Sequence, residues 1–431
     1  MIPHRLTLLA AAAFSLASPS LSHAAGRMKE AEPNDTTATA NPLQFDANRL
    51  TKVSGNIFTG TGGGDVDYYS FTATAGDRVY AATMTAASAN GNGNSTLTLY
   101  AADGTTVIEE DLDDGSMGAQ SSSIAGALIP ADGTYFLRVV NPSPATTILG
   151  YDLYVQLRNG APVAEVEPND TLGTANANAT WIQGSVDPAE NDDFHRIDLN
   201  AGDTVFLSLD LDPERDGGWN GKLGFGLFGD IPNQILLVDN PGMDTAASEA
   251  MFMTVKESGT YYVFVDSAAG VTGTYHLNIG VLPKLVENYT TYTSTDGPIT
   301  IPEGPGMVSS TITIPGNPRI KKLRLKLDVT HGFMQDLDIH LRSPQGNDNG
   351  IITDVGAQTP GTHTRMDVIF DDDAAIPPTF QTLNGQIVKP ELAYSLGWFK
   401  GIDAGGTWTL DIRDDATADG GTLHGWSIEI I

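Results

Sequence analysis

Two short acidic segments carry the side chains best suited to chemistry in this sequence. The string E-x-E-P-N-D-T occurs at residues 30–36 and again at residues 165–171. A string that recurs at such a distance indicates two copies of one structural unit. Its Glu, Asn and Asp side chains supply hard oxygen ligands of the kind that Ca²⁺ binds, and the proline favours an extended conformation for the residue before it. Each string is therefore expected to open a β-domain and to contribute to a calcium site.

The segments behind the two strings repeat one order of short strand patterns. A-G-D recurs at residues 75–77 and 201–203, and a strand pattern beginning G-T-Y recurs at residues 133–139 and 259–265. Either string alone is equally consistent with a polar linker that turns at Pro-Asn-Asp. The recurrence of the whole pattern favours the site over the linker.

Composition limits the functions that this chain can have. Its 431 residues suffice for about two to four domains with cores of their own. The 23 Lys and Arg against 53 Asp and Glu give a net charge of −30, and such a surface repels nucleic acid and anionic membranes but attracts cations. Cysteine is absent, which excludes disulfides and thiol catalysis. Bound Ca²⁺ is therefore one candidate source of rigidity.

Residues 1–24 have the pattern of a signal peptide. His4 and Arg5 give a short positive start, and the apolar run at residues 6–16 is too short to span a bilayer. Residues 22–24 place small side chains where signal peptidase cleaves. We expect cleavage after this site and a secreted protein, extracellular or periplasmic, without a membrane span.

Alternating polar and apolar residues predict an all-β protein of three units. Residues 30–158 and 165–283 are predicted to form two tandem β-sandwiches of about seven to nine short strands each. Residues 285–431 differ, with clean two-residue alternation at residues 321–329 and 423–430 among others. Alternation of this kind predicts half-buried antiparallel strands, here a C-terminal jelly-roll β-sandwich.

The first unit carries several short motifs in a fixed order: E-x-E-P-N-D, D-x-D-Y-Y-S-F, A-G-D, L-T-L-Y-x-x-D-G and G-T-Y-F-L-R-V. In these motifs it resembles the bacterial pre-peptidase C-terminal (PPC) domain. The second unit resembles the same family but departs from it at residues 193–195 and lacks a clean L-T-L-Y-x-x-D-G. The resemblance implies small β-sandwiches attached to secreted peptidases. Some members bind Ca²⁺, and some bind insoluble substrates such as collagen or chitin.

The same resemblance implies a calcium site in each of these two units. The ligands would come from the repeated string and from acidic residues before the next aromatic strand. Carboxylates held together without a cation repel each other, which supports a metal, whereas solvated carboxylates on flexible strands can spread apart. The matching residues of the first unit are Glu30, Glu32, Asn34, Asp35, Asp65 and Asp67. Those of the second unit are Glu165, Glu167, Asn169, Asp170 and Asp193, with Asp192 nearby.

Three ordered segments of the third unit, at residues 336–346, 406–412 and 421–428, resemble the P domain (P/Homo B) of proprotein convertases such as kexin and furin. The resemblance implies a jelly roll that follows a subtilisin-like protease domain and stabilises it. Alternation places the first two acidic residues of the opening segment on one face. A calcium site and a plain acidic rim are both open interpretations here. The candidate residues are Asp336, Asp338, Asp372 and Asp373.

No catalytic constellation is recognisable in the sequence. A subtilisin-like enzyme needs Asp, His and Ser in defined strand and helix contexts. Residues 361–363 imitate part of a protease histidine motif, but no helical pattern follows them. We find no G-x-S-x-G elbow, no H-E-x-x-H helix and no phosphate-binding loop.

The sequence therefore predicts a secreted, non-catalytic, calcium-stabilised accessory protein. Its partner would be a cell surface, an extracellular polymer or a partner protease, and not nucleic acid. The alternative is a component of a subtilisin/kexin-like serine endopeptidase system whose catalytic domain acts in trans or has been lost. The protease label would be inherited from neighbouring domains, because domain resemblance does not carry an active site. A hydrolase that uses an Asp or Glu pair in one of the acidic rims is a third possibility.

Overall fold

The computed structural model is almost entirely β-structure, which confirms the predicted all-β class. It describes residues 26–59, 64–85, 93–112, 120–187, 192–227, 234–238, 247–267, 271–355, 364–378, 384–391 and 394–431. Within these ranges the helices are two short 3-10 turns, Met334–Asp336 and Leu396–Phe399. No helix there is long and apolar enough to cross a membrane. The predicted signal peptide and the histidine-motif imitation at residues 361–363 lie outside the described residues.

Ten strands build the first sandwich from two five-stranded sheets. The strands are β1 (Arg27–Lys29), β2 (Asn41–Pro42), β3 (Leu50–Ile57), β4 (Val66–Ala73), β5 (Arg78–Met84), β6 (Thr96–Tyr100), β7 (Val107–Asp111), β8 (Ser123–Leu128), β9 (Gly133–Val140) and β10 (Ile148–Arg158). One sheet has the order β1-β3-β10-β5-β8 and the other β2-β4-β9-β6-β7. Buried residues of both sheets, such as Val53 and Leu97, belong to one hydrophobic core.

The next ten strands repeat this arrangement. They are β11 (Val163–Ala164), β12 (Asn176–Ala177), β13 (Trp181–Val186), β14 (Asp192–Leu199), β15 (Thr204–Asp210), β16 (Gly221–Leu227), β17 (Gln234–Val238), β18 (Ser248–Val255), β19 (Gly259–Ser267) and β20 (Gly273–Leu282). Their orders are β11-β13-β20-β15-β18 and β12-β14-β19-β16-β17. Within the copy, every strand thus has the neighbours of the strand ten places earlier, as expected for a duplicated unit.

The last ten strands form the C-terminal part of the chain. They are β21 (Thr290–Thr293), β22 (Ile299–Ile301), β23 (Gly306–Ile314), β24 (Leu323–His331), β25 (Leu337–Arg342), β26 (Asp348–Ile352), β27 (Arg365–Phe370), β28 (Gln386–Val388), β29 (Gly406–Asp414) and β30 (Gly421–Ile430). Four of them form the sheet β23-β29-β25-β26. The others continue the β11 sheet, because β28 pairs with β18 and is followed by β27, β24, β30 and β21.

Period-two burial explains why these segments are strands. Along β24 the residues alternate between buried and less buried positions from Leu323 to His331, with the leucines inside. The same alternation runs along β4 and β9, which pair over their full length. Each such strand can bury one face in a core and leave the other face polar.

The first two sandwiches share part of a core. Tyr154 of β10 stacks on Phe252 of β18 with ring centroids 4.5 Å apart, and Phe206 of β15 packs beside both rings. Trp181 donates its indole N–H to the hydroxyl of Tyr80 at 2.8 Å. Because these aromatic side chains are buried, the second sandwich is fixed against the first by direct packing.

Candidate metal centres

Each acidic string lies where the chain crosses from one sheet of a sandwich to the other. β1 joins the first sheet by pairing with β3, and β2 joins the second sheet by pairing with β4. Residues 30–40 must therefore cross the end of the sandwich. The β11–β13 and β12–β14 pairs impose the same crossing on residues 165–175. The repeated string is thus placed between the two sheets in both copies.

An asparagine after each string holds the crossing segment in place. The side chain of Asn41 accepts from the backbone N–H of Ala31 at 2.7 Å and donates to its carbonyl at 2.9 Å. Asn176 makes the same pair of bonds with Val166, at 2.7 and 2.8 Å. Such two-sided bonding imitates a strand pair and fixes the residue between the two glutamates. The glutamate side chains on either side are therefore held in defined positions.

The first cluster gathers every acidic residue predicted for it. One carboxylate oxygen from each of Glu30, Glu32 and Asp67 lies within 4.8 Å of the others. A second group with the same spacing consists of Glu32, Asp35 and Asp65. Glu32 belongs to both groups, so the five carboxylates form one continuous cluster.

Asn34 supplies the amide of this first cluster and is fully buried. One terminal atom of its amide lies 3.0 Å from Asp67 Oδ1 and 3.1 Å from Glu32 Oε2. If that atom is nitrogen, it donates to both carboxylates. If it is oxygen, the carboxylates and the amide form an all-oxygen set, which is the donor set that Ca²⁺ takes.

Two tyrosines orient the inner carboxylates. Tyr151 donates its hydroxyl to Asp67 Oδ2, and the hydroxyls of Tyr69 and Tyr151 lie 2.5 Å apart. Tyr69 also reaches Glu30 Oε2 at 3.5 Å. Glu30 Oε1 also accepts from the backbone N–H of Asn56 at 2.7 Å, so both oxygens of Glu30 have a partner, but a carboxylate has about four lone-pair sites. Acceptor capacity therefore remains for a cation.

Negative charge in the first cluster is costly without a cation. Burial raises the pKa of Asp67 to about 9, and repulsion from the Glu30 carboxylate adds to the rise. Burial also raises the pKa of Glu30. At neutral pH the cation-free pair of Glu30 and Asp67 would therefore share a proton. A divalent cation would replace that proton and stabilise both charges.

A glycine makes room for the cluster on the facing strand. A Cβ added to Gly55 of β3 would lie 2.3 Å from Glu30 Oε2 and 2.6 Å from Tyr151 Cζ. Gly184 of β13 has the same role, because its Cβ would lie 2.3 Å from the Tyr275 hydroxyl and 2.4 Å from Glu165 Oε2. Each cluster thus needs a position without a side chain in the strand beside it.

The second cluster repeats the first with carboxylates of Glu165, Glu167 and Asp193, whose oxygens also lie within 4.8 Å of one another. Asn169 is fully buried, and one of its amide atoms lies 3.3 Å from Asp193 Oδ1 and 3.0 Å from Glu167 Oε2. Asp170 is close enough to repel Asp193, whose pKa rises to about 8, mainly through burial. The residues predicted for the second unit are therefore brought together, with Asp192 directed instead toward Asp266.

The second cluster contains a histidine where the first has a tyrosine. His195 stands two residues after Asp193, as Tyr69 stands after Asp67. Its Nε2 lies 2.9 Å from the Tyr275 hydroxyl, which donates to Glu165 Oε2 at 2.8 Å. Burial lowers the pKa of His195 to about 4, so the ring is neutral at physiological pH.

Buried carboxylate oxygens of the second cluster have few protein partners. Asp170 Oδ1 is buried and has no hydrogen-bond partner in the described part of the chain, and the Asp193 carboxylate, also buried, interacts with the Tyr275 hydroxyl. A buried carboxylate oxygen without a partner is costly, and such atoms call for an explanation such as a bound ion. The orphaned oxygen and the oxygen-rich donor set together fit a hard divalent cation.

The structure does not gather the four acidic residues predicted in the third unit. None of them belongs to a group of carboxylates with metal-binding spacing among the described residues. Asp338 lies 3.4 Å from Arg413 Nη1, and Asp373 lies 2.8 Å from Lys322 Nζ. Asp336 instead neighbours Asp414 and Asp415.

Asp372 has a structural role that its sequence context does not reveal. It accepts the backbone N–H groups of Leu396 and Gly397 at 2.9 and 2.7 Å, and the Ser395 hydroxyl at 2.8 Å. These bonds satisfy the first amides of the 3-10 turn, as a capping carboxylate does. The metal prediction for this unit is therefore not carried further.

Sequence reasoning missed the residues that shape the two clusters. They are the glycines Gly55 and Gly184, the tyrosines Tyr69, Tyr151 and Tyr275, and the clamping asparagines Asn41 and Asn176. The asparagines were detectable, because each string continues to a shared T-A-N at residues 39–41 and 174–176. The glycines and tyrosines lie on strands far along the chain, and only the fold brings them to the string.

Part of this chain matches a known family. Residues 65–141 match the family described as the bacterial pre-peptidase C-terminal domain. The match covers the strands from β4 to β9 and includes Asp65 and Asp67 of the first cluster. It confirms the PPC resemblance for this segment of the first unit.

A stretch of this chain is also similar to part of a curated protease. A probable subtilase-type serine protease of Deinococcus radiodurans is 34% identical over 108 residues, which is 25% of this chain and 14% of that protein. This chain therefore spans only about a seventh of the length of that protease.

The serine protease of Aeromonas sobria has a structure that is similar over 35% of this chain and 27% of its own, with 20% identity and a TM-score of 0.21. A β-porphyranase of Bacteroides plebeius has 10% identity and a TM-score of 0.20, over 56% and 34% of the two chains. Neither structural similarity is high enough to assign a function.

Proposed function

We propose that this protein is an extracellular, peptidase-associated accessory protein whose two sandwiches are each stabilised by Ca²⁺. The observation that carries the proposal is the pair of equivalent buried clusters, each with at least three carboxylates and a buried asparagine. The same constellation at the same place in both copies needs a common reason. Cation binding supplies it, because the clusters otherwise bury negative charge or carry an unpartnered oxygen.

Ca²⁺ in this position would connect parts of a sandwich that are distant in sequence. The crossing string would supply Glu30, Glu32 and Asn34, and β4 would supply Asp67. Each ion would bind carboxylates of both the crossing string and a sheet strand. It would thereby replace the repulsion between these carboxylates with attraction to the ion. Binding to the folded state alone raises stability by mass action.

Calorimetric titration of the purified mature protein with Ca²⁺ tests this proposal. We expect two classes of site. Asp67→Asn should abolish one class, and Asp193→Asn should abolish the other. The amide is isosteric with the neutral carboxyl that the cation-free cluster holds, so both variants should fold. Asp328→Asn, at an exposed ion pair with Arg365, is the matched control and should keep both classes. Calcium binding that persists in the double variant D67N/D193N would refute the proposal. So would a wild-type protein that does not bind calcium.

We further propose that the accessory protein acts without an active site of its own. No catalytic triad is recognisable in the sequence. The similarity to the subtilase-type protease covers only 14% of that protein. A fluorophosphonate probe tests this directly. The protein should remain unlabelled under conditions in which a subtilisin control is labelled, and labelling at a single serine would show that it is an enzyme.

A second candidate function is favoured by the similarity to a subtilase-type protease. In this alternative the chain belongs to a serine endopeptidase system and binds a protease supplied in trans. Support for further protease-associated units comes from the strand order shared by the first two sandwiches, which suggests a second PPC-like domain at residues 165–283. The third unit is proposed to be P domain-like on its motifs. Co-purification of a labelled protease from the culture medium with the immobilised protein would favour this function.

A further inference from the structure

Five of the ten lysines in this acidic chain line a single cleft. They are Lys29, Lys321, Lys322, Lys389 and Lys400. The cleft has a volume of about 660 Å³ and lies between the first sandwich, at β1, β3 and β10, and the third unit, at residues 321–323 and 395–400. We call it the lysine cleft. Such clustering is unexpected in a protein whose net charge is −30.

The aspartates of the lysine cleft are already satisfied by other groups. Asp152 is buried and lies 3.0 Å from Lys52 Nζ and 2.6 Å from Lys389 Nζ. Asp373 lies 2.8 Å from Lys322 Nζ. Asp372, the third aspartate of the lining, accepts backbone N–H groups. Asp373 also attracts Lys29 over a longer distance, but no aspartate of the lining forms a close ion pair with the remaining lysines.

Three ammonium groups of the lysine cleft are available to a ligand. Lys29, Lys321 and Lys400 are exposed, and in the part of the chain that the structure describes none of them forms an ion pair. Five lysines against three aspartates give the lining a charge of +2, whereas the whole chain has a net charge of −30. A concave site with an excess of one sign of charge attracts ions of the opposite sign.

An exposed tryptophan stands two residues before Lys400 in the chain. Trp398 is 61% exposed and belongs to the short turn Leu396–Phe399. Ser395 and Lys400, which flank this turn, line the lysine cleft. Tryptophan carries a large apolar ring, and an exposed large apolar side chain beside a polar cleft is typical of a binding site.

We propose that the lysine cleft binds a carboxylated polysaccharide. The ammonium groups would pair with uronate carboxylates, and the indole of Trp398 would stack on the apolar face of a sugar ring. This deepens the proposed function, because it names the ligand of the accessory protein and rests on that binding role. A thin polymer can enter the cleft while its remaining charges stay away from the acidic surface.

Other anionic polymers fit the lysine cleft less well. Nucleic acid carries about one charge per 1.7 Å of duplex, so most of its phosphates would face the acidic surface. An acidic peptide offers carboxylates but no flat sugar face for Trp398. The combination of sparse cations and an exposed indole favours a polymer with widely spaced carboxylates and pyranose rings.

Binding of hyaluronan to the immobilised full-length mature protein tests the proposal, with dextran and poly-L-glutamate as comparison polymers. Hyaluronan should bind at low ionic strength, and dextran should not. Raising the ionic strength from ~0.01 to ~1 M, which shortens the Debye length from ~30 to ~3 Å, should weaken binding strongly. Failure to bind hyaluronan, or tighter binding of poly-L-glutamate, would overturn the proposal.

Substitutions of the exposed lysines test whether hyaluronan binds in the lysine cleft. The triple variant K29Q/K321Q/K400Q should bind hyaluronan at least ~10-fold more weakly, because each exposed ion pair contributes a small increment. The control R196Q/K326Q/R413Q removes three exposed cations outside the cleft and should bind like the wild type. Trp398→Ala should weaken hyaluronan binding several-fold without changing its salt dependence. An equal loss in both triple variants would overturn the assignment to the cleft.

A calorimetric calcium titration of the same variants separates this inference from the proposed function. The lysine variants should bind Ca²⁺ as the wild type does, since no lysine of the cleft belongs to either cluster. If calcium binds normally and hyaluronan does not bind, the inference fails and the calcium proposal stands.

Discussion

Small residues matter in the two clusters as much as acidic ones do. Gly55 and Gly184 occupy equivalent strand positions opposite Tyr151 and Tyr275. At both positions an added Cβ would collide with a tyrosine ring and a glutamate oxygen. The carboxylates can approach each other only because the facing strand leaves this space empty.

Gly55→Ala is therefore expected to destabilise the protein by about 1–3 kcal/mol, as overpacking of a closely packed site does. Gly150→Ala is the control, because a Cβ there meets no heavy atom within 4 Å, and it should change stability by less than ~0.5 kcal/mol. Urea unfolding midpoints of the two variants test this. Equal midpoints would show that the space beside Glu30 is not needed.

The sequence revealed the acidic residues of the clusters but not their surroundings. Glu30, Glu32 and Asn34 are contiguous, and their repetition made them visible. Tyr151 lies far along the chain from them, and nothing in its own neighbourhood marks it. Asp372 accepts backbone amides of a short turn about 24 residues later in the chain, and nothing in its own sequence context marks that role.

At the scale of secondary-structure elements, a buried charge network joins β3 and β10 of the first sandwich to the third unit. Asp152 of β10 lies between Lys52 of β3 and Lys389, which follows β28. Burial acts to raise the pKa of Asp152, but attraction to Lys389 and Lys52 outweighs it and lowers the pKa to about 2. Burial lowers the pKa of Lys389 despite its partner, so the net stabilisation is smaller than the aspartate alone suggests.

Asp152→Asn is expected to destabilise the protein by about 3–5 kcal/mol, because it leaves two buried ammonium groups without their carboxylate. Asp328→Asn, which breaks an exposed pair with Arg365, should cost no more than ~1 kcal/mol. Thermal unfolding followed by circular dichroism measures both effects. Similar losses in the two variants would show that the Asp152 network does not join the units.

Stability should also fall in acid. The pKa of Asp77 is lowered to about 2, because hydrogen bonds from Arg49 and the Thr74 backbone N–H outweigh the opposing effect of burial. An aspartate in the unfolded chain has a pKa of about 3.9. The folded state therefore favours the charged form, and this stabilisation is complete above about pH 4 and lost toward pH 2. Unfolding free energies measured across this window should fall less steeply for Asp77→Asn than for the wild type, and an equal slope would contradict the assignment.

The alternating pattern predicted individual strands well, as in β24 and β30, because one buried face suffices to mark them. It did not predict how the sheets join. β18 pairs with β28 through two short segments, residues 254–255 and 386–387. Nothing in the sequence of either segment indicates that it pairs with the other. Long-range pairing of this kind is set by packing of the whole chain.

At the scale of the whole molecule, the two sandwiches and the third unit form a connected structure. Aromatic packing joins the first two sandwiches, a continuous sheet joins the second to the third unit, and the Asp152 network joins the third unit to the first. Calcium bound in each sandwich would therefore stabilise more than its own loop. The lysine cleft exists only because the first and third parts are held beside each other.

Thermal unfolding of the mature protein in excess Ca²⁺ and in excess EDTA tests the central claim most directly. Two occupied sites should raise the unfolding midpoint by several degrees or more, since ligand at about 100 times its Kd contributes ~2.7 kcal/mol for each site. The D67N/D193N variant should show no such difference between the two conditions. An unchanged midpoint for the wild type would mean that the paired acidic clusters do not bind calcium.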